Sequence, residues 1–362
     1  MELLSSATIV LVLLVVVVYK FFKTKYSYWE DKAFPYIKPV IPHGNLSGTM
    51  DKIHLSNQMQ NYYNQMKGKG PFGGLYLMYR PAILVLDLDF AKLVLMKDFN
   101  SFQDRGLYYN QLDEPLSAHL ITLDGHKWKS LRESISPAFT SAKMKVLFFS
   151  ILSIAERLRQ TLSNSIDDCT SLEITDLMAR YTTDVIGTCA FGIECNSLID
   201  PQAKFRIMGR KIFKEPRHSF KLRFLMGAFP ELFRFLRMKT HLDEVAQFFT
   251  SICETNIKYR EENNIQRNDF MNLLIQLKND KNGPQISVDE VTAQSFVFFA
   301  AGFETSATTM SMLLYELALN PSIQNRVRDE IYAVLEKHDG RLSYEAVMDM
   351  HYLHCAINGK FQ

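Results

Sequence analysis

At the centre of the run from Val288 to Leu319 stands the stretch Ala300-Ala301-Gly302-Phe303-Glu304-Thr305-Ser306. The flanks of this stretch are apolar, so an acid and two hydroxyls lie where a helix is expected to bury carbon. Buried polar groups cost free energy unless they are hydrogen-bonded or serve a function. We therefore look for chemistry here first.

Both ends of the run indicate a single helix. Ser287 and Glu290 have the spacing of a capping box, and Asn320-Pro321 stops the pattern. A helix from Val288 to Leu319 is about 48 Å long at 1.5 Å per residue. Because most of its faces are apolar, it should pass through the centre of a large domain.

The polar residues in this helix leave two interpretations open. Gly302 weakens the helix by about 1 kcal/mol relative to Ala, and we expect Thr305 to bond to the carbonyl of Ala301 and so bend or open the helix. A core helix with satisfied hydroxyls is the simpler interpretation. The carboxylate of Glu304 favours a functional site, because acids are almost never fully buried without a partner.

The run from Ala301 to Ser306 resembles the central helix of the cytochromes P450, the haem-thiolate monooxygenases. The resemblance implies that Gly302 and Thr305 open a groove over the haem where dioxygen binds. It implies that Thr305 is the oxygen-activating alcohol and Glu304 the acid beside it, with Ser306 in the same catalytic group and Ala301 next to the haem.

A second motif is Trp128-Lys129-Ser130-Leu131-Arg132, which resembles the family's third helix. There the resemblance implies that Trp128 and Arg132 bind the haem propionates. Residues four apart share one helical face, and an indole N–H and a guanidinium are donors suited to carboxylates. A surface helix with a snorkelling arginine is the alternative.

Two further stretches agree with the family's order of motifs, namely Phe102 to Gly106 and Thr183 to Gly192. The run Cys189-Ala190-Phe191-Gly192-Ile193 is closest to the insect members that act on plant toxins and insecticides. The resemblance implies a microsomal, mainly α-helical cytochrome P450 fold with a small β-sheet region.

One departure from the family concerns the iron ligand. The family holds haem iron by a Cys thiolate in a Phe-x-x-Gly-x-x-x-Cys-x-Gly loop, and none of the five cysteines has that context: Cys169, Cys189, Cys195, Cys253 and Cys355. Gly359 and Gln362 stand where a Glu-x-x-Arg pair is expected. We therefore expect a C-terminally truncated catalytic domain that does not bind haem stably and contains no metal site.

The N-terminus predicts a membrane anchor. Leu3 to Tyr19 is almost wholly apolar and is followed by Lys20, Lys23 and Lys25, and about 20 such residues span a bilayer core. A cleaved signal peptide would carry its charge before the apolar run. We expect an anchor at 1–22, a proline-rich linker at 23–47 and a partial catalytic domain at 48–362, on the cytoplasmic side of the endoplasmic reticulum.

The composition places few further limits on function. Of 362 residues, 47% are hydrophobic, and 41 basic residues nearly balance 39 acidic ones, so nucleic acid is not an expected partner. An odd number of cysteines suits a reducing compartment. Strands are predicted at Leu75 to Arg80 and Ala82 to Leu86, joined at Pro81, followed by mainly helical periodicity.

Aromatic residues predict an apolar pocket. The candidates for its lining are Phe298, Phe299 and Phe303 on the long helix, with Leu107 and Tyr108 upstream. The amphipathic stretch from Phe220 to Met238 resembles the family's lid helices at the substrate entrance, which can dip into the membrane; a helix pair facing the core fits equally well.

Two functions follow from these patterns. The first is a haem-dependent monooxygenase that oxidises small lipophilic molecules such as xenobiotics, toxins or endogenous insect compounds, with dioxygen and electrons from an NADPH-dependent flavoprotein reductase. The alternative is a catalytically inactive, truncated or mis-spliced fragment that does not hold thiolate-ligated haem.

Overall fold

The computed structural model describes residues 2–48, 53–167, 171–280 and 285–359. Sixteen α-helices lie in these ranges: α1 Glu2–Tyr26, α2 Tyr28–Asp31, α3 Leu55–Met66, α4 Leu88–Lys92, α5 Gly125–Ile135, α6 Ser141–Asp167, α7 Ile174–Ile186, α8 Lys204–Lys214, α9 Phe220–Ala228, α10 Pro230–Phe235, α11 Asp243–Glu262, α12 Phe270–Asn279, α13 Val288–Leu319, α14 Pro321–Lys337, α15 Tyr344–Met348 and α16 His351–Gly359. The strands are β1 Phe72–Leu77 and β2 Arg80–Val85. The mainly helical fold with a small sheet confirms the predicted fold class.

The chain divides into two compact units. Residues 1–108 and 219–235 form the first, and residues 109–218 and 236–362 form the second. The predicted end of the anchor at residue 22 falls inside α1, which continues to Tyr26.

The sheet of the first unit is an antiparallel hairpin whose turn differs from the predicted one. Leu77 lies opposite Arg80, so the turn is Met78-Tyr79 and not Pro81. Pro81 lies in β2 opposite Tyr76, whose N–H donates to Asn45 Oδ1 at 2.6 Å. Because that N–H points away from β2, Pro81 occupies a position where the ladder requires no N–H.

Part of the predicted linker at 23–47 packs on this hairpin. The Trp29 indole donates to the carbonyl of Leu75 at 2.9 Å, and the Trp29 N–H donates to the Tyr76 hydroxyl at 3.0 Å. Gly74 makes room for the indole, because a Cβ there would lie 2.7 Å from the Trp29 ring. The segment is therefore folded against the sheet rather than extended.

Exposed apolar side chains mark two other parts of the first unit. In α1, side chains from Ile9 to Val18 are exposed, from 44% at Val18 to 65% at Val10. The stretch predicted as a helix pair forms α9 and α10, with Met226 buried and Phe220 and Phe235 exposed. This pair has both a buried and an outward apolar face, so both interpretations of it remain open.

The second unit is organised around α13, whose bounds are those predicted from the sequence. The capping box is confirmed, since Glu290 N–H donates to Ser287 Oγ at 3.1 Å and Ser287 N–H donates to Glu290 Oε2 at 2.8 Å. By length and composition α13 could cross a membrane. Its first half is nevertheless buried, from Val291 to Val297, so α13 is a core helix.

The core beside α13 is mainly aromatic. Phe296 and Phe299 extend from α13 towards three rings of the neighbouring segments, with centroids 5.0 to 6.3 Å apart: Phe191, Phe205 and Phe249. Edge-to-face and tilted pairs of this kind add stability beyond the buried area. These contacts join α13 to α8, α11 and the segment after α7.

Helices α7 and α13 come close together at Gly302, where a larger side chain would clash with α7. A Cβ on Gly302 would lie 2.7 Å from Ile186 Cδ1, and the Thr182 hydroxyl of α7 donates to the carbonyl of Phe303 at 2.9 Å. Gly302 therefore permits a close helix contact that the buried hydrogen bond stabilises.

A buried histidine lies on the Phe296 side of α13. His119 is 7% exposed, and its ring centroid lies 6.3 Å from that of Phe296. Burial, together with the nearby His241, lowers the pKa of His119 to about 4, while Glu114 opposes the shift. His119 is therefore neutral in the folded protein at neutral pH.

Gly302→Val should lower the free energy of unfolding by about 1–3 kcal/mol, because the new methyl groups overlap Ile186. Adding Ile186→Ala should make the double variant less destabilised than the sum of the two single changes. Urea denaturation measures all three. Gly227→Val in α9 is the control, since no atom lies within 4 Å of that position. Strictly additive changes would exclude the close contact.

His119 also predicts acid sensitivity. In the unfolded chain a histidine binds a proton below about pH 6.5, whereas the folded chain keeps His119 neutral down to about pH 4. Stability should therefore fall by roughly 2 kcal/mol between pH 6.5 and pH 5, at 1.36 kcal/mol per unit. Urea midpoints over this range should fall in the unmodified chain and stay nearly flat in His119→Gln. Equal slopes would contradict the assignment.

Candidate functional site on the long core helix

The sequence Ala301 to Ser306 forms one turn at the middle of α13. The hydroxyl of Thr305 donates to the carbonyl of Ala301 at 2.6 Å, as predicted. The helix nevertheless continues unbroken from Val288 to Leu319, so this bond does not open it. Thr305 and Ala301 are both exposed and lie on the same side of the helix.

Glu304 and Ser306 differ from the expectation of buried polar groups. Glu304 is half-buried and Ser306 is exposed, whereas Phe303, Ala307 and Ser311 take the buried positions of these turns. The 3.6-residue period of the helix explains the difference, because the buried face passes through 303, 307 and 311. The acid and both hydroxyls thus lie on or beside the accessible face, where they can exchange protons with solvent.

Gly302 lies on the side of α13 that faces α7. Ile186 of α7 occupies the space that a side chain at position 302 would need. The structure therefore gives Gly302 a packing role, and the accessible turn is formed by Ala301, Thr305 and Ser306.

Trp128 and Arg132 lie one turn apart on α5. Trp128 is buried at 9% exposure, and Arg132 is exposed. Within the described ranges the Arg132 guanidinium forms no ion pair, so its charge is not neutralised by a nearby carboxylate. One indole donor and one free cation on the same helix are suited to an external carboxylate.

The predicted pocket residues have different surroundings within their own units. Phe298 is half-buried and stacks on Phe270 with centroids 3.7 Å apart, beside a small cavity of about 130 Å³. Phe299 and Phe303 are fully buried in the aromatic core. Leu107 and Tyr108 belong to the first unit, and Tyr108 is buried there.

Three of the described cysteines are buried or half-buried thiols with raised pKa values. Burial raises the pKa of Cys189 to about 11 and that of Cys253 to about 12, and burial also raises the pKa of Cys195. These three side chains are therefore protonated thiols at neutral pH, whereas the iron ligand of the family is a thiolate. Cys355 is exposed, and Cys169 lies outside the described residues.

The described part of the chain thus fits haem only in part. Trp128 and Arg132 are suited to the propionates, and the accessible turn of α13 is suited to proton transfer. In the part of the chain that the structure describes, no cluster of three His, Cys, Asp or Glu side chains could hold a metal ion.

Sequence reasoning missed one residue that shapes this helix. Gln294 is fully buried, its Oε1 accepts from the N–H of Leu120 at 2.9 Å, and its Nε2 donates to the carbonyl of Ala118 at 3.4 Å. A lone amide on the buried face of an apolar helix was the available signal, since a buried polar group needs partners.

Comparison with known proteins connects these observations. The family model described as Cytochrome P450 matches residues 39–358. Cytochrome P450 6a9 of Drosophila melanogaster is 46% identical over 338 residues, which is 91% of this chain and 67% of that protein. Probable cytochrome P450 6a20 of the same fly is 42% identical over 342 residues, which is 92% of this chain and 68% of that protein.

A relative from another fly agrees. Cytochrome P450 6A1 of Musca domestica is 41% identical over 343 residues, which is 93% of this chain and 67% of that protein. The family model and these identities extend across both units and include the exposed turn at Thr305. The chain therefore belongs to the cytochrome P450 family and is of the insect xenobiotic-metabolising type.

Proposed function

We propose that this protein is a haem-dependent monooxygenase that oxidises small lipophilic molecules, such as xenobiotics, toxins or endogenous insect compounds. The observation that carries the proposal is the accessible turn of α13, where the Thr305 hydroxyl is exposed and the adjacent residue Glu304 is half-buried. When bound, haem would supply the iron at which dioxygen is activated. Electrons would come from an NADPH-dependent flavoprotein reductase.

The residues of the turn would hold and move protons. The Thr305 proton points to the carbonyl of Ala301 in this structure, and the half-buried carboxylate of Glu304 is open to water. An acid in contact with solvent can reload a neighbouring hydroxyl after that hydroxyl has given up its proton. Thr305 would be the proton donor, with Glu304 and Ser306 as its supply.

Trp128 and Arg132 of α5 would hold the propionate edge of the haem. A guanidinium and an indole N–H that donate to carboxylates form hydrogen bonds roughly twice as strong as neutral ones when the acceptor is ionised. Trp128 is held by its buried position, while Arg132 projects outward. Both would bind propionates, and Ala301 would lie near the ring.

The substrate would meet an apolar surface. Phe298 is the one predicted pocket residue of α13 that remains partly accessible. Its ring stacks on Phe270 and lies 5.1 Å from Phe139, between centroids. Such a surface suits lipophilic molecules without selecting one of them.

A catalytically inactive protein that does not hold thiolate-ligated haem is the second candidate function. The raised pKa values of Cys189, Cys195 and Cys253 favour it, because none of these thiols is ready to bind iron. Haem could then associate through the propionates alone, without the thiolate that monooxygenase chemistry needs.

Haem titration of the purified 362-residue chain tests the α5 assignment. Arg132→Gln should weaken haem binding at least about tenfold, because a charge-assisted bond is worth about 1.5–3 kcal/mol, and absorbance measures this. Lys129→Gln, an exposed neighbour on α5, is the control and should bind as the unmodified chain does. Equal affinities in all three would exclude Arg132 from the site.

The carbon monoxide difference spectrum of the same samples separates the two candidate functions. The monooxygenase predicts a thiolate-type Soret band, whereas the catalytically inactive candidate predicts haem binding without this band. A thiolate-type band would remove the inactive candidate, and its absence from haem-loaded protein would contradict the monooxygenase.

We further propose that α1 anchors the protein to the endoplasmic reticulum membrane with its other residues in the cytoplasm. The exposed apolar side chains from Ile9 to Val18, followed by Lys20, Lys23 and Lys25, support this.

The full chain should float with microsomal vesicles and resist alkaline extraction. A chain without residues 2–19 should stay in the soluble fraction; equal flotation would move the membrane contact elsewhere, with exposed Phe220 and Phe235 the next candidates.

A further inference from the structure

A tightly bonded loop of the second unit lies beside the Phe296 face of α13. Within residues 110–122, the N–H of Asn110 donates to Ser117 Oγ at 2.9 Å, and this hydroxyl donates to the carbonyl of Glu114 at 2.7 Å. We call residues 110–122 the cover loop. Its internal bonds make it a unit that can move as one piece.

One buried carboxylate joins the cover loop to residues 237–242. Glu114 is 3% exposed, and its two oxygens accept four hydrogen bonds. Oε2 accepts from the N–H of Thr240 at 2.7 Å and from its hydroxyl at 2.6 Å, and Oε1 accepts from the N–H of His241 at 2.8 Å and contacts its Nδ1 at 3.1 Å. These bonds hold the pKa of Glu114 below its ordinary value although burial raises it.

The other polar contacts between these two segments are weak. Asp113 and Arg237 form an ion pair at 2.6 Å in which the arginine side chain is 80% exposed and the aspartate side chain 13%, so solvent around the arginine weakens the pair. The amide of Asn110 reaches the carbonyl of Met238 only at 3.5 Å. Glu114 therefore makes the strongest polar contacts between the cover loop and residues 237–242.

The far end of the cover loop rests on α13. Gln294 binds the loop at Leu120 and Ala118, and the His241 ring meets the Phe296 ring edge-on with centroids 4.8 Å apart. The cover loop and residues 237–242 thus both border Phe296, which is 1% exposed. Separating them would open a path to this part of α13.

We propose that the Glu114 carboxylate is a latch that holds the cover loop to residues 237–242, and that its loss opens the Phe296 side of α13 while the rest of the unit stays folded. Buried Leu116 and Ala118 keep the loop docked when the latch is closed. Because all four contacts end on the Glu114 carboxylate, its loss breaks them together and frees the cover loop from residues 237–242. This proposal rests on contacts within the second unit and does not depend on bound haem.

Hydrogen–deuterium exchange of the full chain tests the latch. Glu114→Gln removes the charge and part of the acceptor capacity, so peptides covering 117–123 and 238–243 should exchange at least about tenfold faster, as the loss of a charged hydrogen bond implies. Peptides within 291–303 of α13 should keep their rates. Glu133→Gln, an exposed carboxylate on α5, is the matched control and should change neither region.

A second variant tests whether a smaller loss of hydrogen bonds gives a smaller increase in hydrogen exchange. Thr240→Val removes the hydroxyl donor to Oε2 and the contact of that hydroxyl with His241 Nδ1 at 2.8 Å, and it keeps both backbone donors, so the same two regions should exchange faster by a smaller factor than in Glu114→Gln. The latch is wrong if Glu114→Gln leaves both regions unchanged, or if these regions are unprotected in the unmodified chain. Faster exchange throughout the second unit would also overturn it, since Glu114 would then be a general stability residue.

Discussion

The close contact between α7 and α13 is the constraint on which the second unit depends. Two helices can approach this far only where one lacks a side chain, and Gly302 supplies that position opposite Ile186. The bond from Thr182 to the carbonyl of Phe303 fixes the register of the contact, because it joins one hydroxyl to one carbonyl. That register determines the rotation of α13, and so places Phe299 and Phe303 in the core and Thr305 on the accessible face.

A buried ion pair and its hydrogen bonds connect the segments around α7 and α13. Arg260 and Asp269 form a two-bond ion pair at 2.8 and 2.7 Å, and Arg260 also donates to the carbonyl of Phe191 after α7. Asp269 accepts from the N–H of Asn272 at the start of α12. Arg260 of α11 thus connects the end of α7 with the beginning of α12, and each buried charge has its partner.

Local signals in the sequence predicted some features well and others not. The bounds of α13 followed from the capping box at Ser287 and the stop at Pro321, because both act within a few residues. The hairpin turn did not, because Pro81 lies within β2 opposite Tyr76, at a position where the ladder requires no N–H, and the turn is Met78-Tyr79. The burial of Glu304 was also misjudged, since composition does not reveal which face of α13 meets α7.

The bond from Thr305 to Ala301 has a consequence for the direction of hydrogen bonding at the exposed turn. While the hydroxyl donates to its own helix, only its lone pairs face outward, so a molecule that docks there meets an acceptor. To donate outward, the side chain must rotate and leave the carbonyl of Ala301 to water, at a net cost of about 1 kcal/mol. Thr305 therefore has two hydrogen-bonding states of nearly equal energy, and the polarity of the arriving group selects between them.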